Sequence, residues 1–383
     1  MKRIYLDWAA TAPMLSECRD AMSSWLGEVG NAGSLHAEGR RARASIDEAR
    51  ELLSAKLGCE FGEVIFTSSG TEAANLAVIG AALFAMGATR KRILMSAIEH
   101  HCVLATQLVL EKLGYEVQHI PVDSQGLVSM DWIAGYMGED VLLVSVMHAN
   151  NEIGTLQPVS EIKLLAAKYG ALLHVDAVQT FCLLPWHVGQ LGADLATVSA
   201  HKIGGPQGVG ALFVRAGVQL QPIIVGGGQE REVRAGTENV AAIAGFGSAV
   251  RHYPTNSFVK AKAAARAFKN TLVRLNSDVI FTIEEASSSL ESIMHLRIPG
   301  AGAESMLIVL DRLGVSASSG AACSSGSIEP SHVLLACGFS EIEAKEGLRF
   351  SFGRLVDEDD AIEAAKRVVE AAGQVRRKPA ATR

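Results

Sequence analysis

Between residues 63 and 214 short apolar runs alternate with longer segments of helical apolar spacing. The runs are "EVIFTSS", "KRILMSA", "YEVQHIPV", "VLLVSVMHA", "ALLHVDAV", "ADLATVSA" and "GVGALFVR". The intervening segments include "TEAANLAVIGAALFAMG", a helix over about 101–113, and "VSEIKLLAAKYG" with Gly170 at its stop. A strand apolar at both odd and even positions must be covered on both faces. The pattern therefore predicts an α/β fold with a mostly parallel sheet between helices. Such sheets bind ligands beyond the carboxyl ends of their strands. Ser69-Gly70-Thr71, Asn150-Asn151, Asp176 and Ser199 to Lys202 all fall there.

The alternation weakens near "RHYPTNSF", around residue 255. A long charged helix, short strands such as "SIMHLRI" and "VSAS", and more helices follow. This predicts a large domain over 16–255 and a smaller α+β domain built from 1–15 and 256–383. A chain of 383 residues suits two cores. With 49% apolar and 20% charged residues it reads as globular rather than disordered. A net charge of −6 carries no footprint for nucleic acid. The basic stretch "GRRARASIDEAR" is interleaved with acids as on a helix face, and "VRRKPAATR" reads as a frayed tail. Six cysteines, at 18, 59, 102, 182, 323 and 337, show neither C-x-x-C nor zinc spacing, which points to a reducing compartment. The start "MKRIYLDWAATAP" lacks a signal-peptide core, and no run reaches the ~18–20 apolar residues of a membrane span. A cytoplasmic protein without membrane contact is expected.

Three elements carry chemistry. "TSSGTEAANLA" is a strand, a small-residue turn and a helix start, and free N–H groups at a helix N-terminus suit a phosphate. Taken alone, the turn is more simply an ordinary N-cap. "LLHVDAVQT" places Asp176 at the end of a buried strand, where a carboxylate is costly unless paired. A pyridinium N–H is one suitable partner, and a structural cap is the bland alternative. "TVSAHKIGGPQGVGAL" places Lys202 between an apolar strand and a glycine-rich turn, as a Schiff-base lysine would be. A phosphate turn, a buried acid and a lysine at successive strand ends match pyridoxal 5'-phosphate (PLP). A nucleotide-binding module is the rival, but no G-x-G-x-x-G opens a helix after a first strand, and "VGGGQERE" runs into charge.

At these residues the chain resembles the cysteine desulfurases of the class V aminotransferase family, in the iron–sulfur cluster assembly subgroup. Nine stretches carry the resemblance in order. They are "YLDWAATAP", "FTSSGTEAANLA", "EHHCVL", "NNEIGTLQP", "HVDAVQ", "SAHKIGGPQGVGAL", "GGGQEREVRAGTENV", "SSGAACSSGSIEPSHVL" and "LRFSFGR". The resemblance implies a fold type I PLP enzyme that converts L-cysteine to L-alanine. It implies that Lys202 carries the cofactor and that Gly70, Thr71, Ser199 and His201 bind its phosphate. Thr237 would reach the phosphate of a neighbouring subunit, which implies a homodimer. Asp176 would pair with the pyridine nitrogen, and Asn151 and Gln179 would contact the ring oxygen. His100, which follows Glu99 as the family's histidine does, would stack on the ring and act as an acid–base. Arg349, assisted by Asn31, would take the substrate carboxylate. The early loop reads "NAGSLH" where the family has Asn-Pro-Ser-Ser before a His, so Asn31 stands in an altered clamp.

Cys323 sits in "SASSGAACSSGSIEP", almost all Ser, Gly and Ala up to Ile328. That composition predicts a mobile, accessible thiol. The resemblance makes it the thiolate that takes the substrate sulfur as a persulfide, with an iron–sulfur scaffold or other acceptor protein as partner. No resident metal is expected, apart from transient ligation of a cluster by Cys323. Selenocysteine lysis, or another class V PLP reaction, is the alternative.

Overall fold

A computed structural model describes residues 2–275, 278–283, 289–320 and 329–377. The strands are β1 (Ile4–Tyr5), β2 (Val64–Thr67), β3 (Arg92–Ser96), β4 (Glu116–Ile120), β5 (Val141–Ser145) and β6 (Leu172–Asp176). They continue with β7 (Leu195–Ser199), β8 (Gly210–Val214), β9 (Ile280–Phe281), β10 (Ile293–Arg297), β11 (Val315–Ser316) and β12 (Gly347–Ser351). Seven of them form one sheet in the order β2-β8-β7-β6-β5-β3-β4. All of its pairings are parallel except those of β8, which runs against both β2 and β7. The tight turn after Lys202, with Gly204 and Gly208 both at positive φ, is what reverses the chain into β8.

The sheet is apolar on both faces, and alternate residues feed different cores. Phe66, Leu94, Ala196, Val198, Ala211 and Phe213 join one cluster. Ile65, Ile93, Met95, Leu195 and Leu212 join the other. The helices α1 (Ser16–Leu26) and α2 (Ala37–Leu57) contribute Cys18, Ala42, Ile46 and Leu53 to the first side. The alanine-rich α3 (Gly70–Phe84) covers the second. The predicted helix over 101–113 is two short ones, His101–Leu104 and Gln107–Lys112. Between them the buried Thr106 turns its hydroxyl back onto Val103 O at 2.6 Å and interrupts the helical ladder.

A separate core gathers Phe268, Leu296, Met306, Leu348 and Phe350 with Ile4 and Leu6 from the start of the chain. Its sheet, β12-β10-β9, is antiparallel. β1 pairs in parallel with β11, and Asp7 bridges to Ser351. The segment 7–12 thereby lies where the two cores meet.

Candidate active site

A cavity of about 710 Å³ opens at the carboxyl ends of β2, β5, β6 and β7. Register sets its floor. Asp176 stands opposite Thr197, while Ser199 and Thr67 both stand opposite Gly210. Chain leaving these strand ends delivers Gly70, Thr71, Asn151, Asp176, Gln179, Ser199, His201 and Lys202 to the cavity wall, and His100 and Arg349 join them.

Lys202 lies in a short 3-10 turn after β7. Its Nζ donates to Ala9 O at 2.5 Å and Ala10 O at 2.9 Å. Burial, with the charge of Arg349 second, lowers its pKa to about 8, against the opposing pull of Asp176 and Asp7. An amine in that range exists in part as the free base near neutral pH, as Schiff-base formation requires. Gln179 Nε2 also donates to Ala9 O at 3.0 Å, and Ala12 N to His201 O.

Asp176 is 6% exposed and makes no salt bridge among the described residues. Its Oδ1 accepts from Val178 N at 3.0 Å. Burial raises its pKa to about 6, while that hydrogen bond and Lys202 oppose the rise. Glu99 is also fully buried. Its Oε1 accepts from Met147 N at 2.5 Å. Burial, then the neighbouring Asp176 charge, pushes the Glu99 carboxyl well above its usual range. Of the two carboxyl groups, Asp176 lines the cavity and Glu99 lies behind it.

One end of the cavity is built from the start of α3. Ser69 Oγ accepts from Glu72 N at 3.1 Å, and the first amides of the helix have no intrahelical partner. A Cβ on Gly210 would stand 2.5 Å from Ser69 C, and one on Gly70 would stand 3.3 Å from Ser199 Cβ. The turn is thus closed by backbone alone. His201 Nδ1 lies 3.2 Å from Thr11 Oγ1, and burial lowers its pKa to about 4.

His100 caps the next helix, with Nδ1 accepting from Cys102 N at 3.1 Å. That bond places the proton of a neutral ring on Nε2. Burial, followed by Lys202, lowers the His100 pKa to about 4. Arg349 in β12 donates from Nη1 to Asn151 O at 2.9 Å and from Nη2 to Asp7 Oδ1 at 2.7 Å, and among the described residues its buried Nε has no partner.

Two sequence candidates do not line this cavity. Asn31 is exposed, its Oδ1 accepting from Gly33 N at 2.9 Å. Thr237 is exposed in the chain before the helix Val240–His252. Cys323 lies outside the described residues. Sequence reasoning did not single out Glu152, Cys102 or His332, which do line the cavity. Both members of the doublet His100-His101 line the wall, and the His101 ring packs on His332 with centroids 4.5 Å apart. The "EPSHVL" motif contained that second signal.

A buried lysine, an unpaired carboxylate, an open helix N-terminus and a guanidinium with a spare nitrogen fit one cofactor. They fit the aldehyde, ring nitrogen and phosphate of PLP, and then an amino acid carboxylate. With the doubly covered sheet they define a PLP enzyme of fold type I. The chain belongs to the class V aminotransferases: the family model Aminotransferase class-V matches residues 4–363. PLP is the cofactor of that family. Over 377 residues the chain is 41% identical to a cysteine desulfurase IscS of Dictyoglomus turgidum, covering 97% of this chain and 95% of the relative. The solved structure of a NifS-like protein from Rickettsia africae matches with a TM-score of 0.87 and 32% identity, covering 97% of this chain and 99% of that one. The structure titled SspA in complex with cysteine matches with a TM-score of 0.80 and 32% identity, covering 91% and 98%.

Proposed function

We infer that the protein is a PLP-dependent cysteine desulfurase. It converts L-cysteine to L-alanine and passes the sulfur, as a persulfide on Cys323, toward iron–sulfur cluster assembly. The observation that carries this reading is the gathering of Lys202, Asp176, the α3 N-terminus and Arg349 around one cavity.

PLP, when bound, supplies an electron sink for carbanion chemistry at the substrate α-carbon. Lys202 would hold its aldehyde, Asp176 its ring nitrogen, and Gly70, Thr71, Ser199 and His201 its phosphate. Asn151 and Gln179 contact the ring oxygen. Arg349 orients the substrate carboxylate. Lys202, with its lowered pKa, takes the α-proton and later returns one to the product carbon. His100, in the same cavity wall, would face the ring, and its Nε2 would take the proton of the substrate thiol. The Cys323 thiolate attacks that sulfur. The S–S bond would form as the C–S bond breaks, and the electron pair left on the β-carbon would take the proton that His100 removed from the thiol, giving the methyl group of alanine.

The same reading makes 16–255 the large domain and 1–15 with 256–383 the small one. The shared packing of Ile4 and Leu6 with Phe268 and Phe350 supports that division. It makes the enzyme a homodimer in which the exposed Thr237 serves the neighbouring subunit's phosphate. A scaffold or other acceptor protein takes the sulfur in the cytoplasm. Among the described residues no helix is long and apolar enough to cross a membrane.

The test is spectroscopic and then chemical. The purified protein should absorb in the visible, and borohydride should fix the cofactor's mass on the peptide containing Lys202. Addition of L-cysteine should release alanine, and Lys202→Ala should not turn over. Alanine formation at the wild-type rate by that variant would overturn the assignment.

A further inference from the structure

Glu152 sits in the "NNEIG" turn after β5, 3% exposed, beside Asn151. Its backbone is fixed, since its N–H donates to Asn150 Oδ1 at 2.8 Å and Asn150 Nδ2 donates to Ile98 O at 3.0 Å. It makes no salt bridge among the described residues. One of its oxygens, Oε2, meets two places distant in sequence. Ser331 Oγ donates to it at 2.6 Å, and the same Ser331 oxygen accepts from Leu334 N at 3.2 Å, capping the helix His332–Ala336. From the other side Gly320, at φ +83, packs so closely that a Cβ there would stand 2.8 Å from the same Oε2. Gly320 N donates to Ser318 Oγ at 3.1 Å, and Ser318 bridges to Arg349. Gly320 and Ser331 flank the stretch that contains Cys323 on its two sides.

We propose that Glu152 is a positioning residue for sulfur transfer. Its Oε2 binds Ser331 by a hydrogen bond and abuts Gly320, so the residues on both sides of the Cys323 stretch rest on one carboxylate in the wall that holds Asn151 and Arg349. The proposal rests on Cys323 being the sulfur acceptor. A buried carboxylate is costly to keep, and a bond of 2.6 Å from a hydroxyl to it is of the strong, geometry-specific kind. It acts through Ser331 and Gly320, and none of the cofactor contacts proposed above is its own. Its loss therefore separates sulfur transfer from substrate binding, because reacting atoms displaced by about 1 Å cost up to ~10²-fold in rate.

The holoenzyme tests this with Glu152→Ala, Ser331→Ala and Glu152→Gln. Three readouts apply. They are the single-turnover rate of persulfide on the Cys323 peptide, the affinity for L-cysteine from the cofactor absorption change, and the rate of iodoacetamide alkylation of Cys323 without substrate. Both alanine variants should slow persulfide formation by about tenfold or more. They should raise the alkylation rate and leave cysteine affinity within about twofold of wild type. Glu152→Gln, whose amide oxygen still accepts from Ser331, should retain most of the rate. If Glu152→Ala does not fold, Ser331→Ala decides. Wild-type persulfide rates in the folded alanine variants, or a parallel fall of binding and transfer, overturn the proposal. Failure of the underlying reading is separate: it shows as wild-type alanine release by Cys323→Ser with these residues intact.

Discussion

Arg349 Nη2 donates to Asp7 Oδ1 over 2.7 Å, while Nη1 is spent on Asn151 O at 2.9 Å. The guanidinium is thus held on two sides, and among the described residues its Nε has no partner. Arg349→Ala should weaken L-cysteine binding by about 10- to 100-fold, the worth of ~1.5–3 kcal/mol for a hydrogen bond to a charged group. Cofactor absorption should be retained. Arg349→Lys should rescue little, because an ammonium cannot present a planar fork. Unchanged KM in both variants would move the carboxylate site elsewhere.

Asp176 gives a pH-dependent prediction for the cofactor-free protein. Its folded pKa is raised from 3.8 to about 6, so the folded state prefers the neutral acid. Stability from this group is full below 3.8 and lost as pH rises through about 6. At pH 8 the buried charge costs up to about 3 kcal/mol, and Asp176→Asn removes that cost. Calorimetry should find the cofactor-free variant more stable than wild type at pH 8. The gap should shrink as pH falls toward 5. The same variant should bind PLP more weakly. A gap that widens on acidification would contradict the assignment.

Gly210 closes the phosphate turn from the far strand. A methyl there meets Ser69 C at 2.5 Å and Gly70 N at 2.7 Å, both backbone atoms that cannot step aside. Gly210→Ala should lower PLP affinity by about tenfold or more, as one turn's misplaced phosphate donors would. Equilibrium dialysis of the cofactor measures it, and native-like affinity would show that the turn tolerates displacement.

Cys323→Ser should bind PLP and L-cysteine but release no alanine at an appreciable rate, since a hydroxyl is a far poorer nucleophile toward sulfur. Mass spectrometry of the wild type should find one reducible extra sulfur on the Cys323 peptide. Cys102 lines the same cavity, but burial pushes its thiol pKa far up, so it resists becoming a thiolate. Extra sulfur on Cys102 would replace the mechanism given above.

The strands of the large sheet were legible because both of their faces are apolar, and the strand ends pointed to Asp176 and Lys202. The reversal at β8 was not, since direction leaves no mark on a run such as "GALFV". Asp7 and Glu152 were missed for another reason. Their roles arise from contacts with Arg349 and Ser331, 342 and 179 positions away, and a carboxylate's partner at that separation has no local signature. Asn31 and Thr237 came from resemblance, and neither lines the cavity of the chain itself.

The turn at residues 7–12 has a consequence for how the enzyme comes into being. Its carbonyls hold Lys202, 193 positions on, and its carboxylate holds Arg349, 342 positions on. During synthesis this turn emerges early and waits for partners made late. A partly made chain has the lysine but neither the guanidinium nor β12 against which the turn is laid. Closure of so long a loop comes late in folding. A chain that lacks β12 therefore has Lys202 and the carbonyls that hold it, but neither Arg349 nor the strand that Asp7 bridges, so the cavity wall is complete only when one of the last strands to be made is in place.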